Sequence, residues 1–323
     1  MIGMVDLQEA WNLPPVRATW TPDSGTIHST VLLKTDHGNY ALRAYRYSNE
    51  KRWKIEGEHA IIAHVQQHGL PAIAPLPLPN GETILNHDGA FYALFPFAPG
   101  QQVPRHKLNT GKAIAMGKTL SQLHQALRDY HPQHARTISF DVDREATVAK
   151  IDQIEAAILS QPELDALDKQ SLQRLAQRRD RLMVSQPEDI SILSALDHQV
   201  THGDYQESNL FFEGDSVSAI IDWDQTLFAP RAWEVIRVFH YVFKFQAQGC
   251  CAFLDAYSSI MPLPLVDLEK TATIYAWIRE HDLWLYEELY LHRNQRVRVF
   301  VAPGRFVPLI HRWEELQPAL SSL

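Results

Sequence analysis

Three polar side chains interrupt a short stretch that otherwise predicts a β-hairpin. In residues 201–225, THGDYQESNLFFEGDSVSAIIDWDQ, the runs NLFF and VSAII favour strands, and the letters EGDS between them favour a turn. Asp204 and Asn209 lie five residues apart before and at the start of the first run, and Asp222 follows the second run. A hairpin with a purely structural role has no need of acidic and amide groups at these positions.

The residue types and their spacing indicate phosphoryl transfer. A tight hairpin brings the start of one strand beside the end of the next, so we expect Asn209 and Asp222 to be close enough to share a ligand. Oxygen donors of this kind suit Mg²⁺, which takes one or two carboxylates together with phosphate oxygens and water. Asp204, in the preceding loop, is placed to accept a proton from a hydroxyl. Together these are the parts that phosphoryl transfer from ATP requires. The alternative, an Asp-capped hairpin, explains the turn but not these three residues together.

HGDYQESN followed by IIDWD resembles the aminoglycoside phosphotransferase and choline kinase family, small-molecule kinases with a protein-kinase-like fold. The resemblance covers most of the chain. It implies that Asp204 is the catalytic base and that Asn209 and Asp222 are the magnesium ligands. Asp224 either supports the site from behind or caps the loop. Glu234 stands where many relatives carry Asp, which favours a structural role.

The first hundred residues predict strands around one helix, as the family resemblance requires. Two strands, Ile27–Thr35 and Tyr40–Tyr47, flank a DHGN turn, and a helix is predicted from about 51 to 68, before Gly and Pro. A second hairpin is predicted from Thr83–Asn86 and Ala90–Phe95. The expected fold class is α+β, a bilobal protein-kinase-like fold with a small antiparallel-sheet amino-terminal lobe and a mostly helical carboxy-terminal lobe.

The segment LFPFAPG, residues 94–100, marks the predicted boundary between the lobes, because two prolines and a glycine interrupt the strand pattern. We expect one lobe at 1–97 and the other at 98–323, with a helical hairpin inserted at 140–190. The resemblance implies that the boundary segment is a hinge where backbone groups of Leu94, Phe95 and Phe97 read the adenine edge.

A buried glutamate predicts the partner that holds the nucleotide phosphates. Glu58 lies within the apolar face of the predicted helix, and a buried carboxylate needs a paired cation. Arg43, in the strand YALRAYR, supplies one, whereas the family usually has Lys there. Arginine can bind phosphate or carboxylate through two donors and stays charged. Three alternatives stay open: Lys34 as the phosphate ligand, a surface role for Arg43, and a solvent-facing Glu58.

The acceptor site is predicted from the segment YAWIREHDLWLYEELYLH, residues 275–292. Trp277 and Trp284 are seven residues apart, with Glu280 and Glu287 interleaved. Aromatic rings and carboxylates together suit an amine-bearing ligand. The alternative, an amphipathic core helix with its acids in water, is the more favoured of the two.

The amino-acid composition limits which partners and which cellular location we expect. The 323 residues include 45% hydrophobic and 21% charged residues with a formal net charge of −8, which argues against a nucleic-acid partner. No targeting segment and no run of about 20 apolar residues is present, so we expect no membrane span and a cytoplasmic location. The adjacent Cys250 and Cys251 indicate reduced thiols. Gly25 is a weak phosphate-loop signal, and an ordinary turn is equally compatible.

The expected function is ATP-dependent transfer of a γ-phosphoryl group to a hydroxyl of a small, amine-bearing molecule. An amino sugar, an amino alcohol such as choline, and homoserine all fit. A protein Ser/Thr kinase of the same fold and a nucleotide-binding pseudokinase scaffold are the alternatives. The short path from Asp222 to the next predicted helix favours small acceptors. The oligomeric state is unknown from the sequence.

Overall fold

A computed structural model describes residues 2–21, 28–133, 136–138, 142–185 and 188–323. The chain divides into two compact units. Unit 1 comprises Met1–Thr137 and His198–Pro262, and unit 2 comprises Ile138–Asp197 and Leu263–Leu323. No helix among the described residues combines the length and the apolar character needed to cross a lipid bilayer.

Unit 1 begins with a helix and a five-stranded antiparallel sheet in the order β1-β2-β3-β5-β4. These elements are α1 (Met4–Trp11), β1 (Val16–Trp20), β2 (Ser29–Thr35), β3 (Gly38–Tyr45), β4 (Leu85–His87) and β5 (Ala90–Pro96). The four predicted strands are present. The predicted first residue of β2, Ile27, lies outside the described residues, as does Gly25. Helix α1 and the exposed edge strand β1 have no counterpart in the sequence prediction.

Helix α2 (Arg52–Gln67) lies between the two hairpins, as expected from its apolar spacing. Ile55 is fully buried in a cluster with Phe91 and Ala93 of β5, so this face packs on the sheet. Gly69 follows the helix with φ +74°, a left-handed conformation that glycine adopts without steric cost.

The rest of unit 1 carries the candidate site. Two short antiparallel pairs, β6 with β9 and β7 with β8, join three helices. A Cβ at Gly117 would lie 2.2 Å from the carbonyl oxygen of Phe253, so two of these helices approach at a distance only glycine permits. The elements are α3 (Thr110–Leu127), β6 (His198–Thr201), β7 (Leu210–Glu213), β8 (Ser216–Ile220), β9 (Leu227–Pro230), α7 (Arg231–Tyr241) and α8 (Ala247–Ser258).

Unit 2 is helical throughout its described elements. Its core contains fully buried Ile151, Ile154 and Ile158 on one helix and Leu175 and Leu182 on the next, at the three- and four-residue spacing of a helix face. Its elements are α4 (Arg144–Leu159), α5 (Ala166–Val184), α6 (Ser191–Ser194), α9 (Leu265–His281), α10 (Trp284–Tyr286), a π-helical turn (Glu287–Leu291) and α11 (Leu309–Leu320).

The division into units differs from the predicted division into lobes at residue 97. Hydrogen bonds explain why the β7–β8 hairpin belongs to unit 1. The Ile220 N–H donates to the Pro71 carbonyl at 2.8 Å, and the Phe212 N–H donates to the Gln101 carbonyl at 2.9 Å. The hairpin β7–β8 is thus tied to segments on both sides of the predicted hinge. The two-lobe division stays a prediction.

Candidate active site

The loop after β6 holds the carboxylate of Asp204 through three side chains. The Nδ2 group of Asn209 donates to Oδ2 of Asp204 and to its backbone carbonyl, both at 2.9 Å. Gln206 also donates to Oδ2, at 2.9 Å. Arg237, on α7, donates to Oδ1 at 3.0 Å. The structure therefore brings Asp204 and Asn209 into direct contact, with a cation on the opposite oxygen.

Glu234 fixes the backbone of this loop from below. Its side chain is buried and accepts hydrogen bonds from the N–H groups of Gly203 at 2.6 Å and His202 at 3.2 Å. The Nε2 of His124 contacts the same carboxylate at 2.8 Å. Burial raises the pKa of Glu234, but the hydrogen bond from His124 and the nearby charges and N–H groups outweigh it, so the pKa lies below its usual value. The structural role suggested by the sequence fits this geometry.

The hairpin brings Asn209 and Asp222 to neighbouring positions. Leu210 pairs with Ile220, and the Ile221 N–H donates to the Asn209 carbonyl at 3.0 Å. Asp222 follows with φ +66°, a left-handed conformation that is costly for a residue with a side chain. Such strain persists only where the surroundings enforce it, and it is concentrated at functional sites.

Arg43 connects the sheet and helix α2 to the hairpin. Its guanidinium lies 3.2 Å from Glu58 and 2.9 Å from Asp222, with Asp224 at 3.9 Å. Strand β3 is central in its sheet, and Glu58 is buried, so the alternatives of a surface arginine and a solvent-facing glutamate do not apply. Lys34 pairs with Asn39 near the turn, whereas Arg43 pairs with Thr30. Lys34 therefore lies four residues, about 13 Å, along β2 from Thr30, the residue opposite Arg43.

The carboxylates of this cluster outnumber its guanidinium, an excess of negative charge that suits a divalent cation. Burial raises the pKa of Glu58 to about 7 and, despite Arg43, raises that of Asp222 as well. Burial lowers the pKa of Arg43, yet the surrounding acidic groups outweigh it and the pKa is raised. One guanidinium thus faces three carboxylates. Among the described residues no group of three or more His, Cys, Asp or Glu side chains surrounds a common metal position.

Asp224 supports the site from behind. Its side chain is only 4% exposed and lies 3.5 Å from the Nε2 of His28. Burial would raise the pKa of Asp224, but the nearby His28 and the charge of Arg43 lower it below its usual value. Of the two roles left open for Asp224, contact with the residues behind the site agrees better with this burial than capping of an exposed loop.

The predicted hinge uses most of its backbone groups within the protein. The Leu94 carbonyl accepts from the Leu76 N–H at 2.7 Å, and the Phe97 N–H donates to the Asn39 carbonyl at 3.1 Å. Phe95 pairs with Ala41 of β3. Because backbone groups alternate in direction along a strand, the carbonyl of Pro96 faces away from β3. The reading of the adenine edge by backbone groups of this segment stays a prediction.

The predicted acceptor residues each have a separate environment in unit 2. Glu280 is buried and pairs with Arg181 at 3.2 Å, while Glu287 lies 3.5 Å from Lys150. Trp277 contacts His281 edge to face. Trp284 is 52% exposed and lies beyond a break in the helix, because α9 ends at His281. The seven-residue spacing of the tryptophans therefore does not define one helix face. Their role in acceptor binding stays a prediction.

Sequence reasoning missed three side chains that contact the candidate site: Gln206, His28 and Arg237. Gln206 lies inside the HGDYQESN motif, so its position was a usable signal. His28 precedes β2 by one residue, and Arg237, on helix α7, follows Asp204 by 33 residues. Neither position carries a local pattern that indicates the contact.

The comparison with protein families decides the membership of the chain. The family described as the phosphotransferase enzyme family, APH, matches residues 19–271, more than three quarters of the 323 residues. The protein belongs to this phosphotransferase family. The resemblance predicted from the HGD and IDWD motifs is thereby confirmed, and with it the class of small-molecule kinases.

Two curated relatives are homoserine kinases of low identity. The protein of Afipia carboxidovorans is 25% identical over 247 residues, which cover 74% of this chain and 69% of that one. The protein of Nitrobacter winogradskyi is 27% identical over 226 residues, which cover 68% of this chain and 62% of that one. The match thus spans about two thirds of each relative's length.

Solved structures of phosphotransferases share the fold. Spectinomycin phosphotransferase APH(9)-Ia in complex with ADP and spectinomycin superposes with a TM-score of 0.66 at 17% identity, covering 99% of this chain and 98% of that one. Amicoumacin kinase hAmiN, in complex with AMP-PNP and Ca²⁺, gives 0.63 at 13% identity, covering 97% and 92%. The predicted α+β protein-kinase-like fold is confirmed.

Proposed function

We propose that this protein transfers the γ-phosphoryl group of ATP to a hydroxyl of a small, amine-bearing molecule, with Asp204 as the base. The observation that carries the proposal is a chain of contacts within unit 1. Glu58 contacts Arg43, Arg43 contacts Asp222, and Asn209 beside Asp222 contacts Asp204. A cation for phosphate, oxygen ligands for a metal and a proton acceptor are thus gathered in one place.

The residues present fit Mg²⁺. The Nδ2 group of Asn209 donates to Asp204, so the Oδ1 atom of Asn209 is available to a metal. The Oδ1 atom of Asp222 accepts from Arg43, so the Oδ2 atom of Asp222 is available as well. One carboxylate and one amide oxygen, completed by phosphate oxygens and water, are a typical Mg²⁺ set. When bound, the ion would neutralise charge on the phosphates. Arg43 would bind the same phosphates while Glu58 holds it in place.

Transfer of the phosphoryl group to the acceptor is accompanied by transfer of a proton to Asp204. The acceptor hydroxyl gives its proton to Asp204, and its oxygen forms a bond to the γ-phosphorus. The bond from that phosphorus to the oxygen of the leaving ADP breaks. We also place the reaction in the cytoplasm, where ATP is available and the free thiols of Cys250 and Cys251 stay reduced.

The test is ADP release from Mg·ATP with choline, ethanolamine, kanamycin and L-homoserine as acceptors. We expect at least one acceptor to stimulate turnover, and Asp204→Asn to lower kcat by about 10²-fold or more, the scale of losing a general base. Asp215→Asn, in the exposed turn of the same hairpin, is the matched control. Unchanged kcat in Asp204→Asn would refute the assignment of the base.

Two other outcomes would identify the alternatives. Mg·ATP binding without turnover on any acceptor would indicate a nucleotide-binding scaffold. Transfer of phosphate to peptides, but not to the small acceptors, would indicate a protein kinase.

A further inference from the structure

A series of buried polar side chains connects helix α8 to the loop that carries Asp204. The Tyr257 hydroxyl, on α8, lies 2.7 Å from Nδ1 of His124, on α3. Nε2 of His124 lies 2.8 Å from Glu234, whose carboxylate accepts from the Gly203 N–H at 2.6 Å. Tyr257 and His124 are fully buried, and Glu234 is 1% exposed. The series therefore ends at the backbone next to the proposed base.

Arg231 begins the series at the edge of the buried region. It is the first residue of α7, the helix that also carries Glu234. Its Nη1 group donates to the Tyr257 hydroxyl at 3.1 Å, and its Nη2 group donates to the Pro262 carbonyl at 3.4 Å. Arg231 is partly exposed, whereas Tyr257 is buried. One end of the series is thus a cation within reach of water, and the other end is a buried carboxylate.

The donors and acceptors can be assigned in order, starting from Arg231. A guanidinium only donates, so the Tyr257 oxygen accepts from it. Burial raises the pKa of Tyr257 to about 12, so the hydroxyl keeps its proton and can donate it to Nδ1 of His124. A neutral imidazole whose Nδ1 accepts carries its proton on Nε2, which then donates to Glu234. In this arrangement every group of the series has a partner.

The backbone around His124 and Tyr257 is held in place as well. Gln199, buried on β6, donates to the His124 carbonyl at 2.7 Å. The close approach of Gly117 to the Phe253 carbonyl joins α3 and α8 two turns before His124 and one turn before Tyr257. A lost Tyr257 hydroxyl therefore cannot readily be compensated by movement of either helix.

We propose that Tyr257 and Arg231 are positioning residues for Asp204. They act through His124 and Glu234 and touch none of the reacting atoms. Glu234 accepts from His124 and from the loop N–H groups at the same time only while Nε2 carries the proton. Tyr257 and Arg231 keep the proton there, which holds the loop where Asp204 can reach the acceptor hydroxyl. The inference rests on the proposed function and deepens it.

The first test is Tyr257→Phe, which removes the hydroxyl and keeps the ring. We expect kcat per folded protein to fall by about 5- to 20-fold, less than the 10²-fold that a displacement of about 1 Å can cost. KM for Mg·ATP and for the acceptor should stay within about twofold, because no binding contact is lost. Tyr290→Phe is the matched control: its hydroxyl donates to Asp168 and Ser171 in unit 2. Both variants should lower Tm, but only Tyr257→Phe should lower kcat.

Variants of Arg231 test the start of the series. Arg231→Met removes every donor, and we expect kcat to fall by about 2- to 5-fold with KM unchanged, because the Tyr257 hydroxyl is no longer oriented. Arg231→Lys should recover most of the loss, since an ammonium also donates to a hydroxyl. Equal kcat in Arg231→Met and the wild type would exclude Arg231 from the series.

A double-variant cycle shows whether Tyr257 acts through Glu234. If it does, adding Tyr257→Phe to Glu234→Gln should lower kcat by less than about twofold further, because the connection is already broken. A purely structural contribution of Tyr257 would lower kcat by the same factor in both backgrounds.

Nitrogen-15 NMR of the imidazole rings provides a measurement that needs no activity. The signals of His124, identified by their loss in His124→Gln, should show a protonated Nε2 and an unprotonated Nδ1 in the wild type. The Nδ1 signal should shift in Tyr257→Phe and stay unchanged in Tyr290→Phe. A proton on Nδ1 would overturn the assignment.

The outcomes separate the two levels of the proposal. Wild-type turnover that is unaffected by Tyr257→Phe, or equal losses of kcat in the two backgrounds, would overturn the inference alone. If the wild-type protein releases no ADP with any acceptor, the proposed function fails, and with it the role of Asp204 as a base. The ring signals of His124 then still decide whether the hydrogen bonds run from Arg231 to Glu234 as assigned.

Discussion

Replacing Glu234 by Gln removes the group that fixes the loop carrying Asp204. The carboxylate accepts three hydrogen bonds, from the N–H groups of His202 and Gly203 and from His124, and the side chain is 1% exposed. Glutamine is nearly the same size but has one acceptor oxygen and an NH₂ group. At least one of the three buried donors then faces another donor.

The three buried hydrogen bonds of Glu234 determine how much stability the variant loses. A buried donor without a partner costs about 1–3 kcal/mol. Removing the charged member of a buried pair costs about 3–5 kcal/mol, which we take as the total for Glu234→Gln. For a unit of this size, each kcal/mol lowers Tm by about 2–4 °C, so we expect a decrease of roughly 6–20 °C. We also expect kcat to fall by about 10²-fold, the effect of a catalytic group displaced by about 1 Å.

Thermal unfolding and ADP release measure the two effects. Glu213→Gln is the matched control, because Glu213 is an exposed glutamate of the same unit. Its effect on the free energy of unfolding should stay within about 0.5 kcal/mol. A Glu234→Gln variant with the Tm and kcat of the wild type would show that the loop does not depend on this carboxylate.

Two further predictions follow from the same unit. Arg43→Met and Glu58→Gln should each weaken Mg·ATP binding by about 10- to 100-fold, because a charged contact to phosphate or its tether is lost. Titration calorimetry would contradict the pairing if both variants bind normally. Burial first, and Arg43 second, lower the pKa of His59 from 6.5 to about 4. The unfolded chain therefore binds the proton more tightly, and the stability contributed by neutral His59 is present above pH 6.5 and lost as the pH falls towards 4. Between pH 8 and pH 5 this loss is about 2 kcal/mol. Urea unfolding of His59→Gln should show a correspondingly weaker pH dependence, and an unchanged dependence would exclude His59 as the cause.

The parts of the site that lie in the β7–β8 hairpin and the loop before it were predictable from the sequence. Asp204, Asn209 and Asp222 are close along the chain, and a tight turn leaves little choice in how Asn209 and Asp222 meet. The pair of Arg43 and Glu58 was also predictable, because burial of a charge within an apolar helix face requires a partner on the adjacent sheet.

Residues that meet through packing of distant segments were not predictable. Glu280 fitted an amine-binding pattern by its local sequence, but Arg181 pairs with it from 99 positions earlier. Arg237 belongs to an apolar helix, and only the orientation of α7 brings it to Asp204. The hinge prediction likewise could not show that Asn39 and Leu76 use the backbone groups of Phe97 and Leu94.

The sequence by itself determined the four strands β2 to β5, helix α2, the family and the polar residues gathered around the β7–β8 hairpin, because turn geometry and side-chain periodicity act over a few residues. The tertiary structure alone decided which carboxylates pair with Arg43 and which cation contacts Asp204. Those outcomes depend on ion pairs between segments far apart in the chain, and their strength is set by burial that only the folded protein provides.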